Sequence, residues 1–206
     1  MSKIIVVGGG PSGMMAALNA SKSNHEVILL ERNGELGRKL LLTGGGRCNI
    51  TNNRDIEEFF SKIVTNNKFL YSALYSYTNE DTMNFFENVG IKLKVERGGR
   101  VFPMSDKSSD IIKGLSIGLK ESNVQVKLNS KVTNIIYDAN KIVGVEINNS
   151  TKLYGDYFII ATGGASYPLT GSRGEGQKFA KKLGHTIIEL KPSLVPIELN
   201  EPWLKD

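Results

Sequence analysis

Residues 3–13 read Lys3-Ile4-Ile5-Val6-Val7-Gly8-Gly9-Gly10-Pro11-Ser12-Gly13, a short β-branched apolar run that enters a cluster of glycines. Glycines 8, 10 and 13 fit the pattern G-x-G-x-x-G, which binds a dinucleotide only when a strand precedes it and a helix follows. Both conditions are met on the page: residues 3–7 read as a strand and residues 11–23 as a helix. Residues 26–31, Glu-Val-Ile-Leu-Leu-Glu, then read as a second buried strand that closes a βαβ unit and ends in an acid, Glu31.

Each of these positions has a chemical reason. Gly8 allows the tight turn, Gly10 lets the backbone approach a pyrophosphate, and Gly13 allows the helix to pack on the strand. The helix start at Pro11 and Ser12 presents the free N–H groups that follow Pro11, and the positive end of the helix dipole, to phosphate. Glu31 is placed to accept hydrogen bonds from ribose hydroxyls and would repel a 2′-phosphate, which argues against NADP in this site.

Outward from this unit, Arg32–Arg54 is a long polar, glycine-rich stretch, and a loop of that length is more often functional than idle. Residues 55–88 turn helical, with Thr78 or Asn79 available as an N-cap, and 55–106 reads as a mainly helical insertion. Another helix is expected over 107–121. Short strands at 124–128, 131–137, 142–147 and 152–154, separated by turn residues, read as one β-meander. Residues 157–161 return as an apolar strand, a helix is expected near 175–183, and 185–199 reads as strand and then linker. The expected fold class is α/β: a Rossmann-like domain with a β-meander and a helical insertion, expected to be FAD-binding on the features that follow. Its expected span is 1–192, with 193–206 as linker and the start of a second domain.

The motif alone does not separate FAD from NAD. A simple nicotinamide dehydrogenase continues with regular βαβ alternation, whereas this chain breaks into a loop, helices and a meander. The strand leading into Ala161-Thr162-Gly163-Gly164 also resembles the strand that follows the meander in two-domain flavoproteins of the glutathione-reductase class. With Gly37-Arg38-Lys39-Leu40-Leu41-Leu42-Thr43-Gly44-Gly45-Gly46-Arg47-Cys48-Asn49-Ile50-Thr51-Asn52 in view, the chain resembles a bacterial family of flavoproteins named aminoacetone-oxidase-like, bile-acid-reductase-like or NAD(P)/FAD-dependent oxidoreductases. Gly99–Pro103, Ala161–Gly176 and Pro192–Pro196 match it too, with Glu175 where that family more often carries Asp. The resemblance implies a chain about twice this long, so this one is expected to stop before its second domain is complete.

By that resemblance the glycine loop approaches the cofactor, which makes Arg32, Arg38, Lys39, Gly46, Arg47, Cys48 and Asn49 candidate contacts. Arg38, Lys39 and Arg47 could pair with pyrophosphate or a reduced flavin, or be solvated loop charges. Cys48 has no second cysteine to cycle with, and a small buried thiol is its commoner role. Asn49 could bond the flavin or cap a turn. Val132 is expected to meet adenine through its backbone, and Thr162, Gly163 and Gly164 to let the chain pass close to the cofactor. No catalytic residue is assigned, and no metal site is expected.

The formal net charge of +5 is spread along the chain without a basic stripe, which argues against nucleic acid as a partner. A single cysteine argues against a disulfide framework, and no apolar run reaches the roughly 18–20 residues of a membrane span. The expected protein is a cytoplasmic, FAD-dependent oxidoreductase that exchanges a hydride with a small organic molecule, with NAD(P)H a candidate electron donor. The alternatives are a nucleotide-binding module without turnover and an NAD-dependent dehydrogenase.

Overall fold

The computed structural model describes residues 1–139 and 141–192. Strand β1 (Lys3–Val7), helix α1 (Pro11–Ser21) and strand β2 (Glu26–Leu30) form the expected unit. After the glycine loop come β3 (Thr51–Asn52), α2 (Ile56–Lys62), α3 (Tyr71–Ser76) and α4 (Asn79–Asn88). The hairpin β4 (Leu93–Glu96) and β5 (Arg100–Pro103) leads to α5 (Ser108–Glu121) and β6 (Gln125–Lys127). The described chain finishes with β7 (Val132–Asp138), β8 (Lys141–Ile147), β9 (Thr151–Tyr154), β10 (Tyr157–Ile160) and α6 (Glu175–Lys182).

Side chains on β1 and β2 alternate between two cores, as the period of two requires. Ile4, Val6, Val27 and Leu29 point into a cluster completed by Met14, Ala17 and Leu18 of α1 and Ile111, Leu115 and Leu119 of α5. Ile5, Val7, Ile28 and Leu30 point the other way, onto Ile135, Val145 and Ile147 of the meander and Phe179 of α6. A sheet buried on both faces needs strands that are apolar throughout, and this explains the unbroken Ile-Ile-Val-Val and Val-Ile-Leu-Leu runs. The sheet is parallel, in the order β10-β1-β2-β6. Its strands β1 and β10 run side by side, so a crevice opens beyond the carboxyl end of β1, between the connections that leave for β2 and arrive from β10.

Three expectations are corrected. The segment 124–128 does not belong to the meander: β6 pairs in parallel with β2, from Ile28 opposite Gln125 to Leu30 opposite Lys127. Helix α5 is the crossover that such parallel pairing requires, and the meander is the three strands β7-β8-β9. The insertion is helical from Ile56 to Asn88 but ends in the β4–β5 hairpin, which forms an antiparallel sheet with β3. Residues 185–192 form no strand; Ile188 and Leu190 there are exposed. The remainder of that reading, and the linker at 193–206, lie outside the described residues.

Of the two proposed caps, Thr78 is the one used. Its hydroxyl accepts from Asp81 N–H at 3.1 Å while the Asp81 carboxylate accepts from Thr78 N–H at 2.8 Å, a reciprocal capping box that holds the Asp81 carboxyl below its usual range. Among the described residues no helix is long and apolar enough to cross a membrane.

Candidate dinucleotide site

The turn out of β1 is built as the glycine spacing predicts. Gly8 sits at φ +111°, where a side chain would be strained and its Cβ would come within 2.4 Å of the Ala161 carbonyl oxygen. A Cβ on Gly13 would stand 1.8 Å from the Gly8 carbonyl oxygen, so this glycine sets how closely α1 packs on the turn. Gly10 is different. It is the N-cap of α1, extended at φ −76° and ψ 176°, and a Cβ there would meet no protein atom within 4 Å. No side chain caps the helix, so its first N–H groups face open space.

Glu31 follows β2 and is buried, 7% exposed. One of its oxygens accepts from Gly9 N–H at 2.7 Å, and the other accepts from Asn33 N–H at 2.8 Å and Asn33 Nδ2 at 2.7 Å. The carboxylate is therefore held rigidly to the phosphate turn, with Asn33 as a partner that the motif does not reveal.

These groups line one cleft of about 250 Å³. Of the residues singled out in the sequence, the structure brings Gly8, Gly10, Pro11, Ser12, Glu31, Arg32, Arg38, Lys39, Val132, Thr162 and Gly163 to it. Arg32 serves its wall: its guanidinium donates to the Gly171 carbonyl at 2.8 Å and to Glu175 at 2.5 Å, clasping the segment after β10 against the end of β2. Burial raises the Glu175 carboxyl, but the Arg32 hydrogen bond and backbone N–H groups pull it below its usual range. Asn33 adds a bond to the Thr170 carbonyl at 3.1 Å. Lys39 is a partly buried cation in the lining, and burial alone pushes its ammonium pKa down. Lys131 and Ser130 also line the cleft, and nothing in their local sequence marks them; Glu175, noted in the sequence only within the family pattern, lines it too.

Gly13 lies behind the cleft, and Gly46, Arg47, Cys48, Asn49 and Gly164 are absent from its lining. Arg47 donates to Glu96 and, at 2.8 Å, to Asp106; Lys94 binds the same two acids, reaching Asp106 at 2.5 Å and Glu96 at 3.5 Å. The Arg47 guanidinium also lies 4.2 Å from the Phe102 ring centroid. The Lys94 ammonium and then Arg47 hold the Asp106 carboxyl below its usual range, and Arg47 and then Lys94 do the same for Glu96. Arg47 thus fastens the glycine loop to the β4–β5 hairpin.

Cys48 and Asn49 face a second cavity, of about 280 Å³, between α1, the glycine loop, α4 and α5. Cys48 is 3% exposed, and burial raises its thiol pKa, which opposes thiolate chemistry. Pro11 is common to the linings of both cavities.

Residues 2–194 match the HI0933-like protein Rossmann domain. The chain belongs to this family. Within it, the chain is 30% identical over 209 aligned residues to the 3-dehydro-bile acid delta(4,6)-reductase of Clostridium scindens, covering 100% of this chain and 50% of that protein. It is also 30% identical over 202 residues to the ribosomal RNA dihydrouridine synthase of Escherichia coli, covering 98% of this chain and 49% of that one. The solved structure of the open conformation of a flavocytochrome c3 fumarate reductase superposes with a TM-score of 0.69 at 22% identity, over 88% of this chain and 40% of that one. The fold is thus the Rossmann-type module of flavoprotein oxidoreductases, and the chain spans about half the length of the curated relatives it matches.

Proposed function

We propose that this domain holds FAD for a flavoprotein oxidoreductase that exchanges a hydride with a small organic substrate. The observation that carries the reading is the buried carboxylate of Glu31 tied to the same turn whose next residue, Gly10, opens an uncapped helix end. An acid for ribose hydroxyls and an anion site for pyrophosphate, side by side beyond the ends of parallel strands, fit a dinucleotide. The room above Gly10 and the cations Arg38, Lys39 and Lys131 in the lining suit its phosphates, and Val132 at the start of β7 is suited to adenine. FAD, when bound, supplies a two-electron carrier; the chain's residues bind it, orient it and exclude water from its adenosine half. The carboxylate of Glu31 disfavours NADP in this cleft. NAD(P)H remains a candidate donor from elsewhere in the protein, and the buried, unpaired Cys48 suits a reducing, cytoplasmic setting.

The test is the absorption spectrum of the purified protein and the mass of the cofactor it releases. Flavin bands and FAD support the reading; NAD, or no nucleotide even after titration with FAD, overturns it. A second reading, in which the substrate is RNA, draws on the similarity to the E. coli synthase. Salt-sensitive retention of ribosomal RNA by the protein would favour it over a small molecule.

A further inference from the structure

The second cavity differs in chemistry from the cleft. No charged side chain lines it: its walls are apolar, with Met15 from α1, Leu40 and Ile50 from the glycine loop, Phe85 from α4 and Leu115 from α5. The polar groups that reach it are already engaged. Thr43 donates to the Leu40 carbonyl at 2.7 Å, Tyr77 to the Asp81 carbonyl at 3.3 Å and Thr82 to the Thr78 carbonyl at 3.1 Å. Asn49, with its amide turned so that the nitrogen faces the Thr51 and Val101 carbonyls, donates to them at 3.0 and 3.2 Å. With these donors engaged, a polar molecule entering here would leave its own acceptors unpaired, at about 1–3 kcal/mol for each.

We propose that this cavity seats the organic substrate and that it takes an uncharged molecule built on apolar rings. That the occupant is the partner of the flavin rests on the reading given above; its chemical class rests on the lining alone. A volume of about 280 Å³ falls just below the roughly 300–1,000 Å³ usual for small-molecule sites, and the lack of any cation excludes a phosphate-bearing ligand. Pro11, shared by both cavities, places the occupant beside the helix end where the dinucleotide would cross. The competing occupant, a base flipped out of RNA, is read by hydrogen bonds to its edge, and the donors that its carbonyl oxygens need are spent within the protein.

The test is a fluorescence titration of the chain with N-phenyl-1-naphthylamine, an uncharged aromatic probe. Saturable one-to-one binding that AMP does not displace is expected. Thr82 is half-buried on α4 and lines the cavity without belonging to the fully buried core, so Thr82→Trp should fill the cavity and Thr82→Asp should charge it. Each should weaken the probe by about tenfold or more, the effect of roughly 1.4 kcal/mol. Absence of saturable binding, or unchanged affinity in both variants, overturns the proposal. So does displacement by uridine, which would mark a base site, or by lumiflavin, which would mark the seat of the cofactor's own ring. Failure of AMP and FAD to bind while the probe still saturates would sink the FAD reading and leave the ring-binding cavity standing.

Discussion

Replacing Gly10 by valine tests the cofactor cleft with little interference from folding. The backbone at Gly10 is extended at φ −76° and ψ 176°, a conformation that suits a β-branched residue before proline, and its Cβ would touch no protein atom within 4 Å. Valine is a poorer N-cap than glycine by about 1 kcal/mol or less, and it removes about 0.4–1 kcal/mol of unfolded-chain freedom. The two nearly cancel, so thermal melts followed by circular dichroism should stay within about 1 kcal/mol of the parent. The ligand is the group that would suffer. Two charge-assisted hydrogen bonds from the helix end, at about 1.5–3 kcal/mol each, amount to about 3–6 kcal/mol, and their loss should raise the FAD dissociation constant by about 10²–10⁴-fold. Titrating apoprotein and following the quenching of flavin fluorescence measures this directly. A Gly10→Val protein that binds FAD within fivefold of the parent would refute the placement of the pyrophosphate over α1.

Gly13→Ala should do the reverse, lowering the melting temperature because its Cβ would stand 1.8 Å from the Gly8 carbonyl oxygen, a clash that only backbone movement relieves. Glu31→Ala should weaken FAD by about 1–3 kcal/mol in the same titration, and unchanged affinity would remove Glu31 from the ribose. Cys48→Ser, tested by stopped-flow flavin reduction in a chain extended to the length of the relatives, should keep the rate within about a hundredfold, or roughly 2.7 kcal/mol of barrier. The Arg47 cluster should make stability pH-dependent: Asp106 and Glu96 ionise at lower pH when folded, so their contribution is full above the usual carboxylate range near pH 4 and drains as pH falls through their depressed values. Acid melts of Arg47→Met should weaken that dependence, with Lys94 retaining part of it through Asp106; an unchanged acid profile would count against it.

The phosphate turn, α1, β2 and Glu31 were legible because a strand period and a glycine spacing are local properties, and each choice there agrees with the next. What escaped was non-local. Gln125-Val126-Lys127 looks like any short strand, and only the crossover of α5 decides that it joins β2. Arg47 in a glycine loop reads as an anion binder until Glu96 and Asp106, 49 and 59 residues away, take its guanidinium. The Arg32–Glu175 clasp spans 143 residues, so the sequence around Arg32 holds no sign of it. Glycines speak for themselves, whereas a charged side chain is defined by a partner that the fold selects.

The pairing of β1 with β10 has a consequence during synthesis. Strand β1 is the first strand the chain makes and is paired on both edges, yet its neighbour on one side lies 153 residues later, from Ile4 opposite Tyr157 onward. At about 5–20 residues per second, a ribosome leaves that edge open for roughly 8–30 s. Throughout that interval Ile4–Val7 offers unpaired N–H and C=O groups flanked by apolar side chains, the kind of edge to which another chain can add. The nascent domain is therefore most exposed to misassociation just before Tyr157 emerges, and a holdase chaperone that binds extended apolar segments would find its clearest target in the first seven residues.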